Sequence, residues 1–205
     1  GYDNKNYFPL KKYRLTFRKK NKINKSDIII GYAGRYAKQK NIYSMLIAFS
    51  KITKNYKNVY LYMVGREINS QNKELSTYIN LLKISNKVFF LNEQKNLLKF
   101  YNGVDLLLLP SHSESFPNVV AESMLCSTPV LSSDVGCSKK IINGYGFVMN
   151  NNDYKSIFRN LKKFLKFFKS KKKEWNLLKK NSRIQIKENF SIPNMANIYL
   201  NKWIF

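Results

Sequence analysis

Cysteine, histidine and acidic residues are all scarce in this sequence. Only two cysteines, Cys126 and Cys137, and one histidine occur in 205 residues. The cysteine spacing matches no metal-binding or redox motif, so we expect two reduced thiols and no metal centre. The sequence therefore predicts a fold that is held together by an ordinary hydrophobic core.

Long hydrophobic runs are also missing. No apolar segment approaches the roughly 20 residues that a membrane-spanning helix needs, and the sequence shows no signal-peptide pattern. We expect a cytoplasmic location. Peripheral attachment to the inner face of a membrane is a further hypothesis.

The shortage of acidic residues gives the chain an unusual charge. Lys and Arg number 37 against 12 Asp and Glu, for a net charge of +25. Such a balance suits a phosphorylated small molecule, an anionic phospholipid surface or nucleic acid. The alternative is a lysine-rich composition spread over solvated faces. Because lysines occur in nearly every segment, the charge is weak evidence for any one partner, and we do not expect nucleic acid.

What the sequence does contain is an alternation of short apolar runs and amphipathic segments. The runs near 27–34, 59–64, 88–91, 105–109, 129–133 and 146–149 predict strands. Helical spacing appears at 42–52, with Asn41 as a cap, at 75–84, before Gly103, and at 118–125. We predict an α/β fold: a doubly wound parallel six-stranded Rossmann-like sheet with C-terminal helices.

The domain boundaries follow from the same pattern. Residues 1–27 lack sustained periodicity and are interpreted as an interdomain linker or lead-in. Residues 28–190 form the predicted Rossmann-like domain, and residues 191–205 a final crossover helix.

Two loops of this sheet carry the candidate site. With the strand order 3-2-1-4-5-6, ligands bind outside the carboxyl ends of the first and fourth strands. The loop after the first strand carries Arg35 and Lys40, which suit a diphosphate. The loop after the fourth carries Glu114 and leads into a helix, with its anion-binding amide end, that contains Glu122. Carboxylates at these positions suit hydrogen bonds from paired hydroxyls.

Five segments in order resemble a known family: GYAGRYAKQKN, VYLYMVG, VFFL, GVDLLLLPSHSESFPNVVAESMLCSTPVLSSDVG and YGFVM. They are similar to the donor-binding half of the retaining glycosyltransferases of family 4, which have the GT-B fold. The resemblance runs from about residue 3 to residue 199. Its most specific element is the pair of glutamates eight positions apart, Glu114 and Glu122, followed by PVLSSDVG.

The resemblance implies roles for individual residues. Arg35 and Lys40 would bind the diphosphate of a nucleoside-diphosphate sugar, Glu114 the donor sugar and Glu122 the ribose. Arg35, Lys40 and Glu114 would take part in catalysis, with no metal or other cofactor. Further implied substrate-binding residues are Gly34, Gly65, Asn92, Ser115, Phe116, Asn118 and Val119.

The sequence departs from the family at three places. The family usually has glycine where Asn92 and Ser127 stand, and Pro-Glu where Lys139 and Lys140 stand. Family members also carry an amino-terminal acceptor-binding domain, so we expect this chain to be part of a longer enzyme and weakly active or inactive alone. Aromatic residues of the final helix would then be partly uncovered, namely Tyr199, Trp203 and Phe205.

The expected reaction of the complete enzyme is transfer of a hexose to an acceptor hydroxyl with retention, in cell-surface polysaccharide or glycolipid synthesis. One alternative is an epimerase or phosphorylase of the same architecture. Another is a non-catalytic basic module that binds anionic membrane or nucleic acid. A Ser-His-Glu triad around His112 is not expected, because adjacent residues point in different directions.

Overall fold

Six short strands form the centre of the structure, a computed structural model that describes residues 1–203. All neighbouring strands pair in parallel, in the order β3-β2-β1-β4-β5-β6. The predicted fold class and strand order are confirmed. The strands are β1 (Ile28–Ala33), β2 (Val59–Val64), β3 (Val88–Phe90), β4 (Leu106–Leu109), β5 (Val130–Ser133) and β6 (Phe147–Met149).

Helices cover both faces of the sheet, which explains why the strands are apolar on both sides. One core includes side chains of α2, α3 and α7, and the other side chains of α1, α4, α5, α6 and α8. Every residue of β1 is buried. The helices are α1 (Lys11–Lys20), α2 (Ile42–Asn55), α3 (Lys73–Leu81), α4 (Leu98–Gly103), α5 (Asn118–Leu125), α6 (Ser138–Ile142), α7 (Tyr154–Ser170), α8 (Lys172–Asn189) and α9 (Ile192–Trp203).

Helix α1 lies within the segment 1–27, for which the sequence analysis predicted no regular structure. It packs on α4, and the ring of Phe17 meets the ring of Phe100 edge to face. Arg14 and Arg18 both pair with the buried carboxylate of Asp105, at 2.6 and 3.5 Å. The lead-in is therefore attached to the domain by a buried ionic contact, which a search for helical periodicity did not detect.

The two departures from family glycines both have left-handed backbone. Asn92 has a φ of 55° and Ser127 a φ of 56°. Ser127 follows the end of α5, where its N–H bonds to the carbonyl of Met124 and the Thr128 N–H to that of Ser123. This is the Schellman pattern that normally favours glycine. The chain thus keeps the glycine-type backbone without the glycines.

Helix α9 is exposed along much of its length. Tyr199 is 60% exposed and Trp203 is 83% exposed, as predicted for both residues. The prediction for Phe205 lies outside the described residues.

Candidate functional site

The loops after β1 and β4 meet at the carboxyl edge of the sheet, between the two strands where the strand order reverses. The backbone N–H of His112 donates to the carbonyl of Gln39 at 2.8 Å. His112 is thus a hydrogen-bonding residue of the loop through its backbone. The loop that carries Arg35 and Lys40 therefore contacts the loop that carries Glu114, and we call the edge outside these two loops the crevice.

Lys40 and Glu114 form the central contact of this crevice. The Lys40 Nζ lies 2.6 Å from Glu114 Oε1, and the two side chains are only 14% and 12% exposed. The hydroxyl of Ser111 donates to the same oxygen at 2.7 Å. Oε1 therefore accepts two internal hydrogen bonds, whereas Oε2 accepts none from the described part of the chain. The strand order predicted that Lys40 and Glu114 lie on neighbouring loops, but their pairing was not predicted.

Arg35 precedes Lys40 on the same loop and has an exposed side chain. Within residues 1–203 its guanidinium forms no salt bridge, whereas the charge of Lys40 is balanced by Glu114. Its backbone is held in place, since the carbonyl of Arg35 accepts from the hydroxyl of Tyr32 at 3.2 Å. Arg35 is thus available for a ligand anion that approaches from solvent.

Asn41 holds three loops together, a role that the sequence did not indicate. Its predicted function as a side-chain cap of α2 is wrong, because the residue has a φ of 53° and its side chain does not cap the helix. The side-chain amide donates instead to the carbonyls of Pro110 at 3.0 Å and Asn152 at 2.7 Å. Asn152 in turn donates to the carbonyl of Ser111 at 2.9 Å. These bonds fix the backbone on both sides of Lys40 and Ser111.

Two glycines allow the backbone to come close at this edge. A Cβ on Gly65, where φ is +145°, would lie 2.0 Å from the carbonyl oxygen of Gly34. A Cβ on Gly136 would lie 2.1 Å from the carbonyl oxygen of Glu114. Gly65 also donates to the carbonyl of Asn92 at 3.1 Å, so the three predicted residues Gly34, Gly65 and Asn92 lie together. Gly136 was missed as a site residue, although a glycine in the short loop after β5 was its signal.

The start of α5 presents the remaining predicted residues. Pro117 precedes the helix, and the backbone N–H of Val120 donates to its carbonyl at 3.0 Å. The amides of Asn118 and Val119, at the start of the first turn, donate to no group within residues 1–203. Phe116 is 44% exposed and stacks on Tyr2, and the hydroxyl of Tyr2 donates to Asn118 Oδ1 at 3.0 Å. Ser115 is exposed, and Val119 is half-buried against the core. This end of α5 therefore faces the crevice, with its side chains partly covered by the amino-terminal segment.

Glu122 lies inside α5, in a different environment from Glu114. Its Oε2 accepts a hydrogen bond from the hydroxyl of the buried Tyr101 at 2.8 Å. Burial raises the pKa of the Glu122 carboxyl, and hydrogen bonds from Tyr101 and Tyr7 act in the opposite direction. The two glutamates thus differ, one paired with a cation and the other buried against phenols.

The raised pKa of Glu122 predicts a specific pH dependence. A carboxyl with a higher pKa in the folded than in the unfolded state binds more protons when folded, so its contribution to stability falls as pH rises above about 4.5. Glu122→Gln removes this titration. We expect the unfolding free energy of the variant, relative to wild type, to increase between pH 4.5 and pH 7 in urea titrations.

Glu93→Gln is the matched control, because Glu93 is exposed. The relative unfolding free energy of this variant should change less between the two pH values. Parallel pH profiles for the two variants would contradict the buried state of Glu122.

The described residues contain neither a metal-binding cluster nor a membrane-spanning helix. Across residues 1–203, no group of three or more His, Cys, Asp or Glu side chains is arranged to hold a metal ion. In the same range, every helix falls short of the length or apolar character that crossing a bilayer requires.

Comparison with known proteins identifies relatives. The chain is 28% identical over 171 residues to the capsular polysaccharide biosynthesis glycosyltransferase CapM of Staphylococcus aureus, a match that covers 80% of this chain and 45% of CapM. The chain therefore spans about half the length of this relative.

Solved structures share the fold at low sequence identity. HepE of Anabaena, solved in complex with UDP and glucose, superposes with a TM-score of 0.84 at 18% identity, over 98% of this chain and 55% of HepE. The C-terminal domain of the glycosyl transferase group 1 protein LpcC from Francisella tularensis superposes with a TM-score of 0.78 at 19% identity, over 94% of this chain and 100% of that domain.

The family model described as glycosyl transferases group 1 matches residues 14–183. This range includes β1 to β6, both loops of the crevice and both glutamates. The chain belongs to the glycosyl transferases group 1 family.

Proposed function

We propose that this chain is the donor-binding part of a retaining glycosyltransferase of family 4 and binds a nucleoside-diphosphate sugar in the crevice between β1 and β4. Arg35, Lys40 and the amino-terminal amides of α5 bind the diphosphate, and they stabilise the negative charge that develops on the leaving group. Because HepE has been solved with UDP, UDP-glucose is the first donor to test.

The observation that carries the proposal is the unequal use of the two Glu114 oxygens. Oε1 accepts from Lys40 and Ser111, which fixes the carboxylate next to the cation. Oε2 remains as an acceptor, and a carboxylate oxygen suits a sugar hydroxyl. The sugar and the diphosphate of one ligand then contact the two ends of one ion pair.

The second glutamate, Glu122, suits the nucleoside end of the same ligand. Glu122 is four positions further along α5 than Asn118, in the same helix whose first turn faces the diphosphate. Its Oε2 already accepts from Tyr101. We assign its other oxygen to the ribose hydroxyls, which would compensate for part of the cost of burying this carboxylate.

The complete enzyme transfers a hexose to an acceptor hydroxyl in polysaccharide or glycolipid synthesis, without a metal. CapM is named for capsular polysaccharide biosynthesis, which supports this class of product. We propose that an acceptor-binding domain accompanies this chain, so that the chain alone turns over slowly. A cytoplasmic location at the inner membrane face fits such a pathway.

A pair of lysines on one loop tests the proposal. Lys40 faces Glu114, whereas Lys38 is exposed and two residues away. We expect Lys40→Met to weaken UDP binding by about 1.5–3 kcal/mol, because a charged hydrogen bond to phosphate is lost. Uridine binding should stay unchanged. Calorimetric titration of UDP and uridine measures both.

Lys38→Met changes the net charge by the same amount as Lys40→Met and lies on the same loop. It therefore controls for general electrostatic attraction of UDP. It should leave UDP binding within about 0.5 kcal/mol of wild type, as for a screened surface charge. Equal losses in the two variants would overturn the assignment of the diphosphate to this crevice.

A further inference from the structure

A second concave surface lies away from the crevice, where α8 passes the carboxyl end of α5. It is a cavity of about 410 Å³. Four cations contribute to its lining, together with the hydroxyl-bearing Ser127 and the amide-bearing Asn176, and no carboxylate does. The cations are Lys179, Lys180, Arg183 and Lys187. We name this surface the α8 cleft.

The cations of the α8 cleft lack acidic partners among the described residues. Within residues 1–203, none of the four takes part in a salt bridge. Asp105 acts on Lys179 through its charge but is already paired with Arg14 and Arg18. The positive charge of the cleft is therefore not neutralised by a salt bridge within the described residues.

The spacing on α8 makes this arrangement unfavourable without a ligand. Lys179, Arg183 and Lys187 follow one another at four-residue intervals, so they lie on one face of the helix. Like charges at this spacing destabilise a helix. Arg183 cannot turn away, because its guanidinium donates to the carbonyls of Tyr7 and Leu125.

Lys179 is half-buried among these cations. Burial lowers the pKa of its ammonium group, and the positive charge of Arg14 lowers it further, against a smaller opposite effect of Asp105. A partly buried cation beside other cations costs free energy unless an anion accompanies it. Solvated surface lysines, such as those on the outer side of α7, do not carry this cost.

We propose that the α8 cleft is a binding site for a phosphate group that carries more than one negative charge, such as a diphosphate or a phosphomonoester. Several cations around one pocket match several phosphate oxygens, and Arg183, Ser127 and Asn176 add directed hydrogen-bond donors. The site is distinct from the crevice, because it lies at the opposite end of α5 from the amides that face Glu114. The phosphate is either that of a soluble ion or that of a lipid headgroup.

Two triple variants with equal change in charge test the proposal. One replaces three cations of the α8 cleft (Lys179→Gln, Lys180→Gln and Lys187→Gln). The other replaces three exposed lysines of α7 (Lys162→Gln, Lys163→Gln and Lys166→Gln). Both lower the net charge by three, so general electrostatic attraction is matched. Single Lys187→Gln keeps the test valid if the first triple variant does not fold.

Inorganic pyrophosphate is the first probe. Its binding is measured through the backbone amide chemical shifts of the full chain. We expect saturable shifts at residues 176–187, separate from shifts at the crevice loops. The cleft variant should weaken the binding read from the α8 shifts by about tenfold or more, the loss of at least one charged hydrogen bond. The α7 variant should leave it within about twofold.

Vesicles distinguish the two sources of phosphate. Phosphatidylcholine vesicles with phosphatidic acid present a phosphomonoester, and vesicles with phosphatidylserine at equal total charge do not. If the wild type binds vesicles with phosphatidic acid more tightly than those with phosphatidylserine, and the cleft variant does not, the site binds a lipid headgroup. Pyrophosphate binding without that preference assigns it to a soluble phosphate. Absence of α8 shifts in wild type, or equal weakening in the two triple variants, would overturn the proposal.

Discussion

Replacing Asp105 by asparagine is expected to lower the free energy of unfolding by about 3–5 kcal/mol, the range for removing one partner of a buried ion pair. The Asp105 side chain is 4% exposed and accepts from Arg14, Arg18 and the backbone N–H of Ile29. Asparagine keeps the shape but loses the charge, so Arg18 stays buried without the carboxylate that it pairs with. Urea unfolding at pH 7 measures the loss.

Asp134 offers the matched control, because it also pairs with a cation but at the surface. Its carboxylate lies 3.7 Å from Lys139, whose side chain is 73% exposed. Asp134→Asn should change the unfolding free energy by less than about 1 kcal/mol. If Asp105→Asn were equally mild, the attachment of α1 to the sheet would not depend on the buried carboxylate.

The strands and their order were predictable from the sequence because each strand is buried on both faces. A segment such as Ile28–Ala33 then reads as one apolar run, and the alternation with helices requires parallel pairing. Helix α5 was predicted with the residue limits that the structure shows. Sequence periodicity predicts these elements because their stability comes from local patterns of apolar side chains.

Helix α1 was not predictable in this way, since its attachment depends on residues far along the chain. Its sequence is mostly Lys and Arg, and of its residues only Phe17 and Arg18 are buried. The contact that explains it joins Arg14 and Arg18 to Asp105, roughly 90 residues later. No local pattern marks a cation that will find a buried partner at such a separation.

The candidate site was likewise predictable in part. The fold predicted that Arg35, Lys40 and Glu114 share one crevice, since the ends of β1 and β4 are neighbours. The contact between Lys40 and Glu114, and the brace formed by Asn41 and Asn152, depend on side-chain directions. Asn41 shows this most clearly, because its backbone is left-handed and its side chain does not cap the helix, whereas its sequence position predicted an ordinary cap.

The paired state of Glu114 leads to the last prediction, a difference between two ligands. In Glu114→Gln the carbonyl oxygen of the new amide can still accept from Lys40 and Ser111, so the cation stays near the diphosphate. The position of Oε2 becomes an NH₂ group, which cannot accept from a sugar hydroxyl. We expect UDP-glucose binding to weaken by about 1–3 kcal/mol and UDP binding to change by less than about 0.5 kcal/mol.

Glu122→Gln should behave differently, because its proposed partner is the ribose, which is present in both ligands. It is expected to weaken UDP and UDP-glucose alike. Calorimetric titration of the wild type and the two variants with the two ligands therefore gives a pattern of four differences. Should Glu114→Gln weaken UDP as much as it weakens UDP-glucose, Glu114 would act only by holding Lys40. The sugar would then have to be recognised by other residues of the crevice.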